Sequence, residues 1–240
     1  MVGRGKACLV CTHGPENTIK IMSTKTATLI GATGLIGGEL LNLLLKDDYF
    51  QAVKILVRRP FNLVHARLEK KLVDFNDNDS LLVALDNSDT IFCTVGTTQK
   101  KVNGDKEAYR KVDYDIPVHA ARFCKMVGCN VFVLVSAVGA NSKSKNFYLQ
   151  LKGQVEDEIG KLGIDFVYIM RPSMLVGDRK EFRMGEKIGT PLMKAFSFLL
   201  PPKYKPIKAS DVAKAMVAAA KKTEEGFFVY EYEDMRELIS

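Results

Sequence analysis

Short apolar runs alternate with stretches of helical spacing along most of this chain. TATLI (26–30), AVKILV (52–57), KKLVDF (70–75), DTIFCTV (89–95), NVFVLVS (130–136), DFVYIM (165–170) and GFFVYEY (226–232) predict strands. GELLNLLLK (38–46), SLLVAL (80–85), KEAYRKVDYDIPVHAARFCKMV (106–127) and NFYLQLKGQVEDEIGKL (146–162) predict helices, with two more near 185–200 and over 211–222. Pro117 predicts a kink or break in the third of these. Ser210 is the expected N-cap of the last. The strand runs are nearly continuous in apolar residues, as they are when both faces of a sheet are covered. The alternation therefore predicts an α/β protein, a doubly wound parallel sheet with helices on both faces. The regularity fades beyond residue 177, where a small substrate lobe is expected over about 176–205. Residues 1–24 lack sustained periodicity and read as a loosely ordered leader, which makes 25–240 a single domain.

Composition narrows the class. A chain of 240 residues, 47% hydrophobic, is long enough to bury a core. The net charge of +7 is spread along the sequence, which suits an anionic ligand. No recognition helix or aromatic-basic motif accompanies it, so direct nucleic-acid binding is not expected. The five cysteines, Cys8, Cys11, Cys93, Cys124 and Cys129, are odd in number and irregularly spaced. They read as free thiols in a reducing, cytoplasmic setting. Cys8, Cys11 and His13 have no matching second half nearby to complete a zinc site, so no metal is expected. No apolar run approaches the roughly 18 residues of a membrane span. ACLVC (7–11) is too short for a signal-peptide core.

The most specific stretch is ATLIGATGLIGGELLNLL. Gly31, Gly34 and Gly37 form G-x-x-G-x-x-G between the first strand and the first helix, with Thr33, Leu35 and Ile36 among them. A tight turn there, close backbone approach and the free N–H groups of a helix start suit the pyrophosphate of a dinucleotide. The sheet is thus expected to be of the Rossmann type. The second strand ends in Arg58 and Arg59 and offers no acid, which favours the 2′-phosphate of NADP(H) over NAD(H). Asp74 and Phe75 stand at the end of the third strand, where adenine would lie. Gly96, Thr97 and Thr98 follow the fourth, where glycine lets backbone approach the cofactor.

Tyr-x-x-x-Lys occurs twice. Tyr204 and Lys208 flank Pro206, which opposes a regular helix. Tyr148 and Lys152 lie inside a predicted helix, as neighbours at the edge of the apolar stripe Phe147, Leu151, Val155 and Ile159. Ser136 closes the fifth strand, at the carboxyl end of the sheet where ligands gather, and is expected to point into the crevice of the glycine loop.

Together these motifs resemble the short-chain dehydrogenase/reductase superfamily, in its extended and atypical branches. GTT, VDYD, YLQLKGQVE and RPSMLVGDR are similar to the branch containing the HIV Tat-interactive protein and its bacterial relatives. The resemblance spans about residues 26–215. It implies a hydride transfer between NADP(H) and a small-molecule carbonyl or alcohol substrate. Tyr148 would be the general acid/base. Lys152 would favour its phenolate and hold the nicotinamide ribose, and Ser136 would hydrogen-bond the substrate oxygen. Arg171, Pro172 and Ser173 would close the nicotinamide pocket through backbone contacts. Asp113 stands where many relatives carry asparagine, and its charge would oppose phenolate formation. Two other functions remain open: an NADP(H)-sensing binding module, and a sugar-nucleotide epimerase or dehydratase. A protein partner or a homo-oligomer is compatible with either.

Overall fold

The computed structural model describes residues 7–8, 22–23, 25–176 and 201–240. Seven strands form one sheet: β1 (Thr26–Ile30), β2 (Ala52–Val57), β3 (Leu68–Leu72), β4 (Thr90–Cys93), β5 (Val131–Val135), β6 (Phe166–Met170) and β7 (Gly226–Tyr230). All neighbours pair in parallel, in the order β7-β6-β5-β4-β1-β2-β3. This is the Rossmann arrangement. The order reverses direction between β1 and β4, and that switch point opens the crevice that takes ligands.

Helices cover both faces. α1 (Leu35–Leu44) and α6 (Ala209–Ala220) pack on one, burying Leu40, Leu44, Val212 and Met216. α2 (Asn78–Leu85), α4 (Ile116–Met126) and α5 (Phe147–Gly160) pack on the other, burying Leu81, Ala121 and Val155. Fully burying one such side chain contributes roughly 1.5–3 kcal/mol, so these two layers hold the sheet rigid. No helix among the described residues is long and apolar enough to cross a membrane.

The helix expected over 106–127 is one unbroken helical run, and the irregularity expected at Pro117 is a π-helical turn: α3 (Lys106–Arg110) passes through Lys111–Asp115 into α4. Pro117 has no N–H to return to the carbonyl of Asp113, four residues back, and the ladder widens there. Three expectations change. β3 runs over Leu68–Leu72 rather than 70–75, and it is an exposed edge strand. The run GFFVYEY stops as a strand at Tyr230. Glu231 then caps a last helix, α7 (Tyr232–Glu237), in a reciprocal capping box with Asp234. α6 begins at Ala209 after Lys208, so Ser210 sits inside its first turn instead of capping it.

Two short pairs complete the description. Ala7–Cys8 runs antiparallel to Met22–Ser23, and Leu175–Val176 runs parallel to Ile207–Lys208. The rest of the leader, the helix near 185–200 and most of the lobe over 176–205 lie outside the described residues.

Candidate functional site

The glycine loop joins β1 to α1. Gly31 has φ +95°, and a Cβ there would sit 2.7 Å from Thr94 Oγ1 and 2.9 Å from the Thr94 carbonyl carbon. A Cβ on Gly37 would meet the Gly31 carbonyl oxygen at 2.0 Å. Both glycines are therefore required by the protein's own packing of α1 against β1 and β4. Gly34 differs. It is exposed, its nearest neighbour would be Gly31 O at 3.3 Å, and it stands at the N-cap of α1 with no side-chain cap. No acidic residue occupies the first turn. The N–H groups of Leu35, Ile36 and Gly37 thus end the helix with its positive pole turned outward, beside exposed Thr33. These residues fit a pyrophosphate.

The strand exits flank this loop. Arg58 and Arg59 follow β2, and both are exposed. Past β3, Asp74 is exposed and its Oδ1 accepts from the Asn76 N–H at 2.9 Å and from Asn76 Nδ2 at 3.0 Å. Phe75 is half-buried against the α2–α4–α5 layer. Gly96 is exposed after β4. Thr97 is buried, with its N–H donated to Asp113 Oδ2 at 2.7 Å and its carbonyl accepting from Tyr109 at 3.3 Å. Thr98 Oγ1 accepts from the Lys101 N–H at 3.3 Å.

α5 carries Tyr148 and Lys152 one turn apart. Asn146 fixes its start, accepting from the Tyr148 and Leu149 N–H groups at 3.0 and 3.2 Å. Tyr148 is half-buried, and its hydroxyl has no hydrogen-bond partner among the described residues. Lys152 is 4% exposed. Its Nζ lies 3.1 Å from Asp113 Oδ1 as an ion pair, and Oδ1 makes no hydrogen bond of regular geometry among the described residues. Burial pulls the lysine pKa down, but Asp113 and then Tyr148 outweigh it and hold the ammonium above its ordinary range. Tyr204, the rival tyrosine, ends a 3₁₀ turn (Pro202–Tyr204), and Lys208 belongs to a two-residue strand, so those two share no helix face.

Ser136 departs from expectation. It is 3% exposed, and its hydroxyl donates to Glu156 Oε1 in a short contact. Its single proton is engaged inside the fold instead of being offered to the crevice. Glu156 stands one turn beyond Lys152 and also takes Arg171, through Nε at 3.1 Å and through Nη2. The Arg171 side chain is thus tied inward, and its Nη1 lies 3.9 Å from Glu231. The Pro172 carbonyl accepts from the Val138 N–H at 3.0 Å, and Ser173 Oγ donates to the Lys205 carbonyl. The segment after β6 is therefore braced from within.

Sequence reasoning did not single out Glu156, Gly153, Thr94 or Tyr109. Gly153 was detectable: a glycine inside a helix costs about 1 kcal/mol and needs a reason. A Cβ there would meet Ser142 N at 2.1 Å, so the glycine lets the loop after β5 lie on α5. Three of the five cysteines behave as small hydrophobes. Cys93, Cys124 and Cys129 are buried free thiols. Burial pushes Cys93 up to about 11, and a hydrogen bond with Cys129 together with burial raises Cys124 as well. Neither suits a nucleophile.

A family model described as NAD(P)H-binding matches residues 31–223. Protein FMP52, mitochondrial, of Candida albicans is 33% identical over 200 residues, covering 81% of this chain and 87% of that protein. Protein HTATIP2 of Rattus norvegicus is 34% identical over 168 residues, covering 69% of each. Among solved structures, uronate dehydrogenase from Agrobacterium tumefaciens superposes with TM-score 0.66 at 13% identity over 90% of this chain and 84% of its own. UDP-N-acetylglucosamine 4-epimerase from Bacillus cereus gives 0.63 at 17% identity, over 87% and 78%. Those two show the fold. The cytoplasmic placement expected from the thiols is overturned by the fungal relatives, which are named as mitochondrial. Free cysteines report a reducing environment and do not identify the compartment that provides it. With its glycine loop, its Tyr148–Lys152 helix and these relatives, the chain belongs to the NAD(P)H-binding family, as an atypical short-chain dehydrogenase/reductase resembling HTATIP2.

Proposed function

We propose that the protein is an NADP(H)-dependent oxidoreductase that moves hydride to or from a small carbonyl or alcohol substrate. The observation that carries this reading is the half-buried Tyr148 hydroxyl, without a partner among the described residues, one helical turn from a buried Lys152. Tyr148 gives a proton to the substrate oxygen in reduction and takes it back in oxidation. Lys152 keeps its positive charge at the site. Gly34 and the start of α1 hold the pyrophosphate, and Arg58 and Arg59 supply the charge for a 2′-phosphate. The bound cofactor supplies or accepts the hydride.

The chain contains no tryptophan, so the fluorescence of NADPH can be followed directly. NADPH should bind more tightly than NADH, and a panel of carbonyl compounds should contain substrates whose turnover collapses in Tyr148→Phe. Equal background rates for wild type and Tyr148→Phe across the panel would exclude the reading.

A second reading, an NADP(H)-sensing module with little turnover, has its own support. Asp113 holds Lys152, and the Ser136 hydroxyl donates its hydrogen bond to Glu156. That reading predicts partner affinity that changes with NADPH and is indifferent to Tyr148→Phe. The fungal relatives support a mitochondrial location, which cell fractionation would check.

A further inference from the structure

Three features of Asp113 belong together. It sits in the π-helical turn before Pro117, and its side chain is 1% exposed. Oδ2 is committed to the Thr97 N–H at 2.7 Å. Oδ1 faces the Lys152 ammonium at 3.1 Å and is the one buried side-chain polar atom without a hydrogen bond among the described residues. Leaving such an oxygen unsatisfied is unfavourable, and native proteins keep few of them. Lys152 has three N–H donors, and Asp113 is its one ion-pair partner among the described residues. A paired carboxylate oxygen and ammonium therefore lie side by side, each with hydrogen-bonding capacity to spare. The group that satisfies both is a hydroxyl, which donates to the carboxylate while it accepts from the ammonium.

The position of this pair says whose hydroxyl. The loop after β4 is bound to the glycine loop at one end, where Thr94 Oγ1 lies 3.1 Å from the Ile30 carbonyl and 3.2 Å from that of Gly31. At its other end Asp113 and Tyr109 clamp Thr97. Arg58 and Arg59 stand on the β2 side of the glycine loop, Asp113 and Lys152 on the β4 side. A dinucleotide with its pyrophosphate at Gly34 and its adenosine phosphate at the arginines must extend its other sugar toward β4. We propose that Asp113 is a positioning residue for Lys152 and Thr97 whose Oδ1 is also an acceptor for a hydroxyl of the nicotinamide-side ribose. This rests on the NADP(H) reading above. Where asparagine would offer a neutral amide, Asp113 offers a charged acceptor and keeps the lysine oriented.

The test compares two ligands, NADPH and adenosine 2′,5′-bisphosphate, which lacks the nicotinamide half. In Asp113→Asn, NADPH should bind about tenfold more weakly, the loss of one charge-assisted hydrogen bond. The bisphosphate should bind as it does to wild type. A structural role alone would weaken both ligands together, and equal NADPH affinity in the two proteins would also overturn the proposal. If wild type bound neither ligand, the cofactor reading itself would fall. Should Asp113→Asn not fold, the carboxyl carbon resonance of Asp113 in labelled wild type gives the answer. It should shift with NADPH and stay in place with the bisphosphate; no shift with NADPH would overturn the proposal.

Discussion

Lys152 and Asp113 form an ion pair, 3.1 Å from Nζ to Oδ1, with side chains only 5% and 1% exposed. Such a pair is costly to break from one side, because the surviving charge stays buried. Asp113→Ala should lose about 3–5 kcal/mol of stability. Urea unfolding followed by far-ultraviolet circular dichroism measures it, and a loss below about 1 kcal/mol would show that the lysine finds another partner.

The glycine loop separates packing from binding. Gly37→Ala places a Cβ 2.0 Å from the Gly31 carbonyl, so it should destabilise the fold by several kcal/mol, on the order of 3 or more. Gly34→Ala meets its nearest atom, the Gly31 carbonyl oxygen, at 3.3 Å, a tight contact that should cost far less stability than Gly37→Ala and leave the protein folded. The added methyl faces the approach of the pyrophosphate, so NADPH affinity should fall about tenfold or more. A Gly34→Ala protein binding NADPH normally would move the phosphate site elsewhere.

Arg58 and Arg59 should set the choice of cofactor. Replacing both with serine removes charge-assisted contacts worth about 1.5–3 kcal/mol each when made. NADPH affinity should drop by at least about tenfold while NADH affinity barely moves. Parallel titrations of the two cofactors read the ratio directly, and an unchanged ratio would mean that neither arginine meets the 2′-phosphate.

Alkaline pH should weaken the fold through Cys93. Burial raises its pKa from 9.0 to about 11, so the native state keeps a proton that the unfolded chain releases. Unfolding is therefore favoured progressively as pH climbs between those values, by on the order of 2 kcal/mol. Lys152 acts in the same direction at higher pH. Its stabilisation is complete below the unfolded value of 10.5 and disappears as pH rises through its raised folded value. Urea melts at about pH 8 and pH 10.5 should show this slope in wild type, shallower in Cys93→Ala. Equal slopes would assign the effect to other groups.

The sequence by itself determined the architecture. Apolar runs such as VFVLV and TIFC could only be strands buried on both faces, and their alternation with helical segments left a parallel doubly wound sheet. Gly31, Gly34 and Gly37 located the tight turn between β1 and α1, and Pro206 removed Tyr204 from contention, because both signals are local backbone chemistry. Side-chain partners were a different matter. Ser136 stood at the correct strand end, yet only packing revealed Glu156, twenty residues away, beneath its hydroxyl. Asp113 was visible as a departure, but its hold on both Thr97 and Lys152 depends on the π-helical turn that Pro117 forces. Periodicity records which face a residue occupies. Which buried charge meets which is decided when distant segments are brought within hydrogen-bond reach, and that is a property of the tertiary structure alone.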